Sequence, residues 1–158
     1  MCIALNEYDA IPYELHQLQL NTGKIICILT GNNHDINDLG NLNKMYWLGD
    51  FPGYYATVDD DLNYSYTYLN TLISNMKLYN DNAICSYHGL LFDINNGIID
   101  NNTKKVIFYN KNNEKNISCL RPGMGTSIMN PHKIGITKNI YLSHSKGYSD
   151  DIITSIFA

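Results

Sequence analysis

Residues 83–109, AICSYHGLLFDINNGIIDNNTKKVIFY, decide the fold class. Leu90, Leu91, Phe92 and Ile94 form a short apolar run rich in strand formers. Asn95-Asn96-Gly97 follows, and Asn and Gly accept the positive φ angles that tight hairpins require. Ile98 and Ile99 resume the apolar pattern, Asp100-Asn101-Asn102 breaks it, and Val106, Ile107 and Phe108 read as a third strand. Short turns join antiparallel neighbours, so the simplest expectation is a three-strand meander. Asp93, inside the first run, is expected to face solvent or a polar partner, because an isolated ionised carboxylate is costly to bury.

The same stretch carries the most suggestive chemistry. His88 precedes the first expected strand and Asp100 closes the second. Across a tight hairpin those ends would approach, and a carboxylate beside a histidine makes an oriented base. The segment HGLLFDINNGIID resembles the His-strand-turn-strand-polar segment of circularly permuted papain-like hydrolases and acyltransferases. That resemblance implies a nucleophilic cysteine further along the chain, and Cys119 is the only downstream cysteine. The family places its cysteine at the start of a helix, whereas Leu120-Arg121-Pro122-Gly123 follows Cys119 and is poor helix-starting sequence. The expected catalytic set on this reading is His88, Asp100 and Cys119.

Composition narrows the remaining classes. A chain of 158 residues is expected to form one domain over its whole length. Charged residues make up only 16%, against about 25% in typical domains. Asn, Ser, Thr and Tyr supply the missing polarity. The formal charge of −4 and the absence of a basic run argue against binding a nucleic-acid backbone. Cys2, Cys27, Cys85 and Cys119 occur singly, with no metal-ligand spacing, and no cofactor motif is visible, so neither metal nor cofactor is expected. No signal peptide and no membrane-length apolar run is expected. A reduced, cytoplasmic setting follows.

Outward from the central stretch, residues 2–5 read as a first strand, and the Tyr13, Leu15, Leu18, Leu20 alternation reads as strand with one slip of phase. Residues 24–30, KIICILT, read as a buried strand. Residues 31–43 form a polar loop whose acidic spacing does not match a calcium loop. Residues 45–48 and 54–58 read as two strands joined by the turn 49–53. This region gathers Tyr46, Trp47, Tyr54 and Tyr55, the ring types enriched where partners bind. Asp59-Asp60-Asp61 offers caps for a helix over residues 61–79, with Leu62, Tyr66, Leu69, Leu72, Ile73 and Met76 on its apolar face. Residues 117–120 and 134–142 read as strands. The loop Arg121–Ser127 holds two glycines and one Arg, a pattern whose amides can cradle an anion. A short final helix or strand is expected near residues 149–157.

The fold class expected is α+β: a mostly antiparallel sheet of six to nine short strands with one principal helix. The leading functional expectation is a binding protein for a protein partner or small ligand, of the kind phages and viruses use as inhibitors. It would act through Tyr46, Trp47, Tyr54 and Tyr55, with Arg121 on the glycine loop. Two enzymatic alternatives stand beside it. One is a metal-independent hydrolase or transferase using His88, Asp100 and Cys119. The other is a nucleotide-processing enzyme assembled from scattered His, Tyr and Lys.

Overall fold

The structure is a computed structural model that describes residues 1–31, 40–95, 98–108, 116–119 and 121–143. The chain divides into two compact units, Met1–Leu48 and Gly49–Ala158. The fold is α+β, and among the described residues every strand pairing but one is antiparallel.

In the first unit, β1 (Cys2–Asn6) pairs in parallel with β2 (Ile26–Thr30), Cys2 opposite Ile26 and Asn6 opposite Thr30. Parallel neighbours need a crossover, usually helical. It is supplied by α1 (Tyr13–Thr22), where alternating strand was expected. The helix formers Glu14, Leu15, Gln17 and Leu18 favour it. Gly23 ends it in the left-handed conformation, φ 60°, its N–H donating to the Gln19 carbonyl. No residue of α1 is buried, so its apolar positions trace no 3.6-residue stripe and the alternation misled. β2 was expected to be buried, yet Ile26 is 42% exposed. Thr30 is buried, and its Oγ1 accepts from Asn43 Nδ2 at 3.3 Å. That bond ties the end of β2 to a 3-10 turn, Gly40–Met45. Residues 45–48 are not the expected strand. Tyr46 N donates to Asn43 O and Leu48 N to Met45 O, the three-residue spacing of 3-10 structure.

The second unit holds two antiparallel sheets. In the first, β8 (Ser127–Met129) lies between β3 (Tyr55–Ala56) and β4 (Ile84–Ser86). In the second, β5 (Gly89–Asn95) lies between β6 (Ile98–Ile107) and β7 (Arg121–Pro122). The expected meander is therefore two long strands, not three short ones. The break foreseen at residues 100–102 is a register shift within β6: Leu91 pairs with Lys105, but Asp93 pairs with Asp100. Thr103 fills the gap, its Oγ1 accepting from Asp93 N and donating to Asp100 O, both at 2.8 Å. Asp93 is exposed, as its charge requires. Asn96-Gly97 lies outside the described residues.

The principal helix, α2, spans Tyr68–Leu78 rather than residues 61–79. Its inner face is Tyr68, Leu72 and Met76, spaced four apart and packed with Ile128. Tyr54, Tyr64, Ile73, Cys85 and Tyr87 pack against that cluster. The three aspartates do not cap it. Thr67 is the N-cap, and Asp59 is held upstream by its N–H donating to Tyr64 Oη at 2.7 Å. Where a strand was expected over residues 134–142, the chain forms α3 (Pro131–Ile134) and α4 (Lys138–Ser143). Asn130 caps α3 by accepting from Lys133 N, Pro131 opens it, and Gly135 closes it at φ 73°. Ile136 and Tyr141 are buried. Residues 117–119 form no strand, and the segment at 149–157 lies outside the described residues.

Candidate functional site

The expected catalytic residues are only partly brought together. Gly89, at the head of β5, pairs with Ile107 on one side and Pro122 on the other. Cys119 Sγ lies 2.9 Å from where a Cβ on residue 89 would stand, so the thiol fills the space a side chain would need. His88 packs against Gly123 in the same way, its Cβ at 2.9 Å and Cγ at 3.0 Å from the corresponding Cβ position. His88 and Cys119 thus meet the same end of β5. Among the described residues, no hydrogen bond joins the thiol to the imidazole, whose ring neighbour is Phe108 with centroids 6.1 Å apart.

Asp100 does not join them. It pairs with Asp93, five residues along from His88, which at about 3.3 Å per residue is roughly 16 Å away. The hairpin is longer than expected, so its closing carboxylate sits at the far end. Burial pushes the Cys119 thiol above its ordinary pKa, offset in part by a backbone hydrogen bond. A nucleophilic thiol needs the opposite shift. The residues after Cys119 run into β7 and a 3-10 turn, Met124–Thr126, not a helix.

The glycine loop expected to cradle an anion already faces one. The Asp59 carboxylate lies directly over Gly125, where a Cβ would otherwise be. Around it runs a polar network. Tyr64 Oη donates to Gly125 O at 2.5 Å, Thr57 Oγ1 donates to Met124 O, and Thr57 and Ser127 hydroxyls lie 2.9 Å apart. Ser86 Oγ stands 2.8 Å from the carbonyl oxygens of both His88 and Gly123, and 3.0 Å from Thr126 Oγ1. Thr57, Thr126 and Ser127 are buried, which the hydrogen bonds of Thr57 with Ser127 and of Thr126 with Ser86 make tolerable. Arg121 lies in β7 opposite Leu90, half-buried.

The four aromatic residues expected at a contact surface are mostly occupied. Trp47 is only 7% exposed. Tyr46 meets it edge to face, with centroids 5.1 Å apart. Tyr55 is half-buried in β3. Tyr54 Oη donates to Asp81 Oδ1 at 2.5 Å, and that bond, with burial and the aspartate's charge, raises its pKa. The most exposed aromatic among the described residues is Tyr66. Its neighbours Tyr64 and Tyr68 have their hydroxyls on Gly125 O and Thr57 O, whereas Tyr66 is fully exposed, and Leu69 three residues on is 49% exposed. Sequence reasoning put both on the buried face. The period-two pattern of NYSYTY was the contrary signal, since it marks the stretch that α2 leaves out.

A groove among the described residues is a further candidate. It measures about 450 Å³ and is lined by Pro52, Gly53, Asn130, His132 and Lys133. His132 Nε2 lies 3.3 Å from Phe51 O and ties its two walls together. Among the described residues, no group of three His, Cys, Asp or Glu could hold a metal ion, and no helix is long and apolar enough to cross a membrane. No protein-family model matches the chain, and no curated protein matches it.

Proposed function

We propose that this chain is a cytoplasmic binding protein that engages a protein partner through Tyr66 and Leu69. The observation that carries the reading is the contrast within one run of three tyrosines. Tyr64 and Tyr68 are anchored, while Tyr66 stands wholly in solvent at the head of α2. A large rigid ring with a polar tip, unsupported by its own fold, suits the pocket of a partner. Asp60 and Asp61 are exposed just upstream, so the complementary surface is an apolar pocket rimmed by basic side chains. None of the four cysteines is in a disulfide, which supports a reducing compartment. The hydrolase reading has less support, because its carboxylate is distant and its thiol pKa is raised.

Capture from a host lysate, compared between wild type and Tyr66→Ser, tests this. An anchoring tyrosine contributes about 2 kcal/mol or more, so the variant should retain its partner roughly thirtyfold less well. Its melting temperature should not move, since the ring is fully exposed among the described residues. Equal retention by both proteins would refute the assignment.

A further inference from the structure

We propose that the groove between residues 51–53 and 130–133 is a binding site for a small organic anion with an apolar body. It is independent of the Tyr66 surface. Its volume of about 450 Å³ falls within the range of about 300–1,000 Å³ typical of small-ligand sites. The lining is mainly apolar, and Phe51 beside it is 49% exposed. Gly53, on one wall, sits at φ 96° with nothing within 4 Å of where a Cβ would stand, so no side chain at that position fills the space.

The polar residues of the lining, Asn130, His132 and Lys133, lie on the other wall. Asn130 Oδ1 is held by Lys133 N. His132 Nε2 faces the Phe51 carbonyl. A carbonyl only accepts, so Nε2 carries the hydrogen, and the two walls are joined without using the Lys133 ammonium. Among the described residues no carboxylate pairs with that ammonium. In a chain whose formal charge is −4, a cation beside apolar walls selects a ligand whose negative head meets Lys133 while its body covers Pro52. The charge comes from the side chain alone, and carboxylate and phosphate heads both satisfy it.

Amide chemical-shift titration of the full chain tests the site, with benzoate and phenyl phosphate as the two anionic arms and benzamide as the neutral control. Saturable shifts at Gly53, Asn130, His132 and Lys133 are expected with at least one anion. The stronger arm identifies the head group. Lys133→Met should weaken that anion about threefold, the scale of one exposed charge pair, and Lys133→Arg should restore it. The site is refuted by the absence of saturable shifts up to about 10 mM, by equal affinity for benzamide, or by unchanged affinity in Lys133→Met.

Discussion

Replacing Gly125 by alanine inverts the usual sign of that substitution. At a position outside the left-handed region, Gly→Ala restricts the unfolded chain and stabilises by about 0.4–1 kcal/mol. Here the new methyl falls on the Asp59 carboxylate, with Oδ1 also only 2.9 Å away. The carboxylate has to leave. Its backbone N–H is bonded to Tyr64 Oη, which in turn donates to Gly125 O. Two net hydrogen bonds are worth about 1–3 kcal/mol, and overpacking adds about 1–3 kcal/mol. Gly125→Ala should therefore cost about 2–6 kcal/mol, a large share of a typical domain's stability. Urea denaturation followed by far-ultraviolet circular dichroism measures it. Asp59→Ala removes the obstacle and should cost about 1–2 kcal/mol alone. The double variant should then be less destabilised than the two single costs added together, by at least about 1 kcal/mol. A neutral or stabilising Gly125→Ala, or strict additivity, would show that the carboxylate does not hold that position.

Three further outcomes are open to direct measurement. The Tyr54 phenol, its pKa raised chiefly by the hydrogen bond to Asp81, holds its proton more tightly when folded. Its contribution is complete below the ordinary value of 10.0 and is lost as pH rises through the raised one. The urea midpoint should fall above pH 10 in wild type and fall less steeply in Tyr54→Phe; identical alkaline slopes would contradict this. Cys119, its thiol pKa raised by burial, should react with iodoacetamide at pH 7 more slowly than free cysteine, read by mass spectrometry, and a faster rate would return it to the list of nucleophiles. Glu7 holds φ at 59°, where Asn is better tolerated. Glu7→Asn should gain about 0.5–1 kcal/mol in denaturant, and a loss would mean that the Glu7 side chain has a role of its own.

What the sequence showed well was local. The break at Asp100-Asn101-Asn102 is a signal contained within a few residues, although it marks a register shift inside β6 rather than the end of a strand. The Asn130-Pro131…Gly135 punctuation of α3 is equally local, yet residues 134–142 read as strand. α2 was recognised, but its stripe was drawn through Tyr66 and Leu69, because Leu62 and the aspartates extended the pattern upstream. What sets the true start is Tyr64, whose hydroxyl reaches Gly125, sixty-one residues away. The candidate site fails to be legible for the same reason. Gly89 is small because of Cys119, Gly123 because of His88, and Gly125 because of Asp59. Each glycine looks from sequence like a turn residue, and each is a place where another segment needs the room. RPGMGTS therefore reads as an anion cradle until the fold shows its own carboxylate over Gly125, and HGLL reads as the edge of a catalytic centre until Cys119 is seen filling the space beside Gly89. The glycines that looked most like chemistry mark where other segments of the second unit pack closely, so function is better sought at Tyr66 and at Lys133, whose side chains make no hydrogen bond or ion pair among the described residues.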